Sequence, residues 1–322
     1  MSRRALKRLA LTIGALLILT PIASFAIAAF LWSQRADYGW SPAIDEPTYK
    51  DSHPVVVVDA AHHNASAADW TGRYFPFARL LRADGYDVRS GNDAFTPENL
   101  DGVDVLVIVN ASGAAKPQLF GINLPFGEGS SEDRARSAFT RDEICHIYEW
   151  VAGGGSILLI ADHAPFGAAA ADLAEVFGVT MYKGFVEVPG ELSDPLEFSS
   201  ANGRLGAHPI LSGDSPHSVI SRVATFTGQS LEGPDDAAVL LRLPESAIEY
   251  IPSDRDGQFD STSAGVAQGL AMTVGMGRMV VLGEAAMLTA QVHNRVPFGM
   301  NLPGYDNRQF ARNIMRWLTR NL

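Results

Sequence analysis

The chain has 322 residues, 47% of them hydrophobic, with 36 acidic and 25 basic side chains and a formal charge of −11. Residues 1–35 hold five of the basic side chains and no acid, leaving 20 basic against 36 acidic in the rest. So acidic a body repels phosphate backbones, which speaks against nucleic acid as a partner, and the single cysteine rules out an intrachain disulfide or a thiolate zinc knuckle.

Leu9 to Trp32 carries no charged side chain and follows Arg3, Arg4, Lys7 and Arg8. A run of this length spans about 30 Å of hydrocarbon as a helix. Basic residues on its amino-terminal side hold residues 1–8 in the cytoplasm, so the bulk of the chain is expected outside it, on the periplasmic side of a Gram-negative cell. Ala26-Ile27-Ala28 would suit a signal peptidase, but the run exceeds the usual signal core, which favours an uncleaved anchor. Residues 33–52, aperiodic and containing Pro42 and Pro47, read as a juxtamembrane linker ahead of one domain over 53–322.

Val55-Val56-Val57-Val58-Asp59 opens the domain as a strand buried on both faces. A helix over Arg73–Ala83 follows, with Tyr74, Phe77, Leu80 and Leu81 on one face and Gly85 as its stop. Tyr86–Arg89 and Asp104–Val109 read as further strands. Residues 111–138, rich in Gly and Pro, form a long loop that leaves the third strand and is a candidate lid.

Thr140 and Glu143 form a capping box for a helix ending at Gly153-Gly154-Gly155. Ile144, Tyr148 and Val151 mark its inner face, and Cys145 is expected to be a buried structural thiol there. Ser156–Ala161 is the central strand and Ala168–Phe177 the next helix. Residues 183–235 are irregular. Ala237–Leu243 is a strand, and Ala267–Val274 and Met279–Gly283 pair as a hairpin around Gly275-Met276-Gly277. A last helix starts near Asn307, with Phe310, Ile314, Trp317 and Leu318 inside and Arg308 and Arg312 as solvated charges. The alternation of strand and helix predicts an α/β fold: a flavodoxin-like, doubly wound, mostly parallel sheet preceded by one transmembrane helix.

Ligands bind beyond the carboxyl ends of strands in such sheets. Three of these ends deliver His62 and His63, Asp162 and His163, and Glu284 to one edge. Imidazoles and carboxylates ligate zinc, manganese or iron. A first shell would take His62 or His63, Asp162 or His163, and Glu284, and a metal there would lower the pKa of bound water. A metal-free alternative makes a histidine, His163 above all, a general base oriented by Asp59, Asp162 or Glu284. Ser112 offers a hydroxyl but sits in no Gly-x-Ser-x-Gly turn. Asp59, Asn64, Asn110 and Gln229 are candidate ligand-binding groups. A structural reading stands beside these: aspartates at strand ends cap helices and tighten turns. Asp254-x-Asp256-Gly257 fails as a calcium loop because Gly265 stands where a bidentate glutamate is required. His208, His217 and His293 are placed in turns or loops.

The stretches Trp150-Val-Ala-Gly-Gly-Gly-Ser-Ile-Leu-Leu-Ile-Ala-Asp-His163, His208-Pro209-Ile210 and Gly275-Met-Gly-Arg-Met-Val-Val-Leu-Gly-Glu284 resemble the class I glutamine-amidotransferase-like superfamily, nearest its trehalose-utilisation-like branches and related membrane-anchored domains. That resemblance implies the same flavodoxin-like topology. Active members place a cysteine nucleophile after the central strand. Ala161-Asp162-His163-Ala164 stands there instead, so thiolate-dependent glutamine hydrolysis is not expected. Two readings remain: a hydrolase, metal-dependent or not, of a small polar or carbohydrate-related substrate, and a non-catalytic domain that binds a small molecule or a protein partner.

Overall fold

Val55–Asp59 (β1) forms the second strand of a nine-stranded sheet in a computed structural model that describes residues 33–64, 72–115, 118–119, 122–123, 129–191, 195–253 and 257–322. The helix Phe75–Ala83 (α1) leads to Asp87–Gly91 (β2) at the sheet's edge. Val105–Val109 (β3), helix Arg141–Ala152 (α2) and Ser156–Ile160 (β4) continue in the other direction. After helix Phe166–Glu175 (α3) come Thr180–Met181 (β5), Leu231–Glu232 (β6), Ala238–Arg242 (β7), Ala267–Val274 (β8), Gly277–Leu282 (β9) and the closing helix Asn307–Leu318 (α4).

The strand order is β2-β1-β3-β4-β9-β8-β6-β5, with β7 also paired to β8. The first five run parallel, and β8 turns antiparallel to β9. The parallel half is the doubly wound pattern the sequence predicts. The antiparallel half departs from it, because between β5 and β9 the described chain runs mostly in short strands joined by Gly- and Pro-bearing turns, which cannot supply parallel crossovers.

Alternation along the strands divides the core. Val56, Val58, Val105 and Val107 pack with Phe77, Leu80, Leu81, Phe310 and Ile314 of α1 and α4. Leu106, Ile108, Ile157 and Leu159 pack with Ile144, Ile147, Val151 and Leu173 of α2 and α3. Each such fully buried side chain contributes about 1.5–3 kcal/mol relative to exposure.

Several details correct the sequence reading. Residues 33–52 are no free linker: Arg35–Ala36 pairs with Val292 and Gln291, and Thr48 and Tyr49 bond to Asp84 at the far end of α1. The segment lacks periodicity because it supplies an edge strand and single anchors rather than a helix face. Within 183–235, strands Phe185–Glu187, Leu196–Ser199 and Arg222–Thr225 emerge. Cys145 is exposed, and so is Tyr148; the buried face of α2 runs through Ile144, Ile147 and Val151, and Cys145 lies one residue off it. Arg312 is no solvated charge: its Nη2 lies 2.8 Å from Oδ1 of Asp84, which is fully buried. The apolar stretch 9–32 lies outside the described residues, among which no helix is long and apolar enough to cross a membrane. The candidate lid 111–138 is described only in part. Its base is fixed by the bonds Ser112 N to His62 O and Gly113 N to Arg134 O, both 3.0 Å.

Candidate functional site

The switch in strand order lies between β1 and β3, and β4 and β9 follow on the same parallel edge. Beyond β1, Asp59 Oδ1 accepts from Ala61 N at 3.1 Å and pairs with His62 Nδ1 at 2.9 Å. Asn64 Nδ2 donates to Asp59 Oδ2 at 3.1 Å and to Val109 O at 3.0 Å, stitching β1 to β3. The second His62 nitrogen, Nε2, lies 2.9 Å from Glu143 Oε1 at the start of α2. Its ring stacks on Phe95 and lies tilted against Phe139.

His62 is therefore buried with both nitrogens engaged. Burial disfavours the imidazolium, but hydrogen bonds and charge from Asp59, then Glu143, outweigh it and raise the pKa. For Glu143, burial pushes up, yet bonds from Thr140, His62 and the Phe95 N–H hold the carboxyl at about 2. A histidine held in this way is a brace. The strand-end loop places it where sequence position predicts, but it has no lone pair to offer a substrate. His63 is exposed beside it, with φ 49°.

At the ends of β3 and β4, Asn110 Oδ1 accepts from Asp162 N at 2.9 Å. Asn110 adopts φ 50°, a left-handed conformation that asparagine tolerates better than most residues. Gln229 is fully buried and donates to Ala161 O at 2.9 Å and Asp162 O at 3.2 Å, while its Oε1 accepts from Lys183 N at 2.8 Å. Asp59, Asn64, Asn110 and Gln229 thus face inward and shape the edge with their polar groups. Gly283 permits this close approach: a Cβ there would stand 2.3 Å from Gln229 O.

What reaches the surface is His163, beside the largely buried Asp162. Asp162 Oδ1 accepts from His163 N at 2.7 Å and lies 2.9 Å from His163 Nδ1. The His163 side chain is 46% exposed and that of Asp162 is 13%. Beyond β9, Glu284 is buried and caps the turn at 286–288, accepting from Ala286 N and Met287 N at 2.8 Å each. Burial first, and then the Asp162 charge, push its pKa well above the usual carboxylate range.

Arg73 and Tyr74 join this group, although the sequence marks Tyr74 only as part of a core face and Arg73 only as a helix start. Burial lowers the Arg73 pKa and the Asp162 charge opposes that. Tyr74 donates to Ala285 O, and burial, then Glu284 and Asp162, raise its phenol well above the usual value. No local motif marks either residue; a basic residue just after a strand-end loop is the nearest signal.

The expected metal shell is not assembled. Among the described residues no three His, Cys, Asp or Glu side chains are arranged to hold a metal ion. The reason is chemical: His62 spends both nitrogens on Asp59 and Glu143, and Glu284 spends its carboxyl on two backbone N–H groups. His208 and His217 lie elsewhere: His208 caps the turn at 209–212 through Nδ1 to Ile210 N and stacks edge-on against Trp317.

No protein-family model matches the sequence, and no curated protein matches it. Among solved structures, the mmIFT52 N-terminal domain overlays with a TM-score of 0.52 at 14% identity, over 82% of this chain and 97% of that one. A ThuA-like protein from Bacteroides uniformis overlays at 0.44 with 13% identity, over 86% and 94%. A GMP-synthase-like protein from Thermoplasma acidophilum overlays at 0.41 with 14% identity, over 83% and 94%. The first likeness establishes a shared α/β fold and nothing about activity; the other two are too loose to carry an argument.

Proposed function

We propose that this chain is a membrane-anchored, extracytoplasmic α/β domain whose strand-end site binds a small, neutral, hydroxyl-rich molecule. The observation that carries the reading is the pair of exposed His163 and largely buried Asp162 set against the buried acid Glu284 and the cation Arg73. Asp162 offsets the Arg73 charge, so the site has no surplus cation for a phosphate or carboxylate ligand. Carboxylate, imidazole and guanidinium together supply acceptors and donors of the kind a sugar hydroxyl array engages. The absence of a cysteine or serine nucleophile after β4 favours binding over acyl transfer. The anchor reading rests on the uncharged run 9–32 and its basic flank.

A second reading, hydrolysis by acid–base catalysis, is favoured by one observation: Asp162 is bonded to Nδ1 of a half-exposed histidine, which orients the ring and leaves Nε2 as the group for proton transfer. Calorimetric titration of the full chain in detergent with neutral mono- and disaccharides, and with sugar phosphates as contrast, tests both. Saturable binding of a neutral sugar, lost in Asp162→Asn, is expected. No binding by the wild-type chain overturns the first reading, and release of a new reducing end during the titration establishes the second.

A further inference from the structure

We infer that the hairpin tip His293–Val296 rests on the bilayer that carries residues 9–32, so that the strand-end site faces the lipid headgroups. The inference builds on the anchor reading above and adds an orientation to it.

Arg35–Ala36 runs antiparallel to Ala290–His293, with Arg35 opposite Val292 and Ala36 opposite Gln291. Followed backwards from Arg35, the chain therefore heads toward the end of that strand. Ala290–His293 continues by a two-residue turn into Val296–Gly299, with Asn294 and Arg295 at φ 50° and 66°. From Arg35, Trp32 is three residues away, a reach of at most ~10 Å in extended chain. From Val292, the turn at Asn294 is two residues away. The end of the uncharged run and the hairpin tip thus lie within a similar reach of the same ladder.

The tip's composition suits that neighbour. His293, Asn294, Arg295 and Val296 are all exposed, and Val296, at 60%, is among the most exposed large aliphatic side chains described. Arg295 and Arg35 add positive charge in a body that is otherwise strongly acidic. Arginine and an aliphatic side chain on a projecting turn match the headgroup layer, where cations meet lipid phosphates and apolar groups reach the acyl boundary.

The tip also shares an edge with the site. The hairpin follows Glu284 and the turn at 286–288, and Thr289 Oγ1 donates to Arg73 O at 2.7 Å. Residues 37–49 run away from the tip along α1 in the helix's own direction, from Tyr38 against Phe75 to Tyr49 N on Asp84 O. The strand 33–36 accordingly leaves from the end of the sheet that holds Asp162 and His163. The turn between β8 and β9 marks the other end, where Met276 is 71% exposed. A ligand for this site is then met at the membrane surface.

The test uses the full chain in proteoliposomes, in a Cys145→Ser background, with an environment-sensitive fluorophore at Val296→Cys or at Met276→Cys and lipids spin-labelled at the headgroup. Quenching several-fold stronger at position 296 than at 276 is expected, with the chain resisting alkaline extraction. Equal quenching, or stronger quenching at 276, in a chain that resists extraction overturns the orientation and leaves the anchor standing. Extraction of the chain into the aqueous phase overturns the anchor and the orientation together.

Discussion

His62 and Glu143, 81 positions apart, meet with Nε2 2.9 Å from Oε1, and this contact ties the loop after β1 to the first turn of α2. Glu143 serves twice, since its other oxygen accepts from Thr140 N and Oγ1 in the capping box. Replacing it with alanine strips the cap and leaves a buried imidazole facing Asp59 alone. Breaking a buried pair on one side costs about 3–5 kcal/mol, and that loss is expected for Glu143→Ala in urea unfolding. A loss near 1 kcal/mol, as for an exposed pair, would show that the contact is not what holds the loop.

The same pair sets a pH window. The Glu143 pKa falls from 4.5 to about 2 on folding, so its contribution is complete above 4.5 and is lost as pH falls through about 2. The His62 pKa is raised above 6.5, so its contribution is complete below 6.5 and is lost as pH rises through the folded value. Melting temperature followed against pH should therefore fall less steeply on the acid side in Glu143→Gln than in wild type. It should fall less steeply on the alkaline side in His62→Phe. Parallel curves for wild type and both variants would contradict the linkage.

Arg312 and Asp84 show a second buried pair, with Arg312 Nε 3.2 Å from Oδ2 and Nη2 2.8 Å from Oδ1. Asp84 also accepts from Thr48 N and Oγ1, so the pair clamps residues 33–52 to α1. Arg312→Leu should cost about 3 kcal/mol or more, because an unpaired carboxylate stays buried. It should also make residues 37–50 sensitive to limited proteolysis in the folded chain. Proteolysis unchanged from wild type would mean that the edge strand at 35–36 suffices to hold the segment.

Local pattern carried the parallel half of the sheet. The runs at 55–59, 105–109 and 156–160 are apolar on both faces, the capping box at Thr140 is a short-range signal, and each is reproduced within a residue or two. The site edge was legible for the same reason, since strand ends define it. What each residue does there was not. His62 and Glu143, Arg312 and Asp84, and Asp162 and Glu284 are partners across 81, 228 and 122 positions, and single-sequence periodicity holds no information about such pairings. Cys145 failed at a finer level: one position of helix phase separates Ile144 inside from Cys145 outside. Its exposure predicts that maleimide modifies the native chain fully without denaturant, and that Cys145→Ser changes stability by no more than ~0.5 kcal/mol. A thiol that reacts only on unfolding would restore the buried reading.

Glu284 and Asp162 offer the sharpest check on the site itself. Burial and the Asp162 charge raise the pKa of the buried Glu284 carboxyl, so it should keep its proton to higher pH than an exposed glutamate does. Infrared difference spectroscopy should then show a protonated-carboxyl carbonyl band that persists to higher pH than that of an exposed glutamate and is absent from Glu284→Gln. In Asp162→Asn one of the two raising causes is gone, so the band should titrate away at lower pH than in wild type. The sign also bears on stability. A carboxyl whose folded pKa lies above its unfolded one weakens the fold as pH rises from 4.5 through the folded value, and Asp162→Asn should narrow that loss. A band that persists unchanged in Asp162→Asn would make burial alone responsible and would separate Glu284 from the pair Asp162 and His163. A wild-type band that titrates away no later than that of an exposed glutamate would contradict the raised pKa and remove the protonated acid from the site.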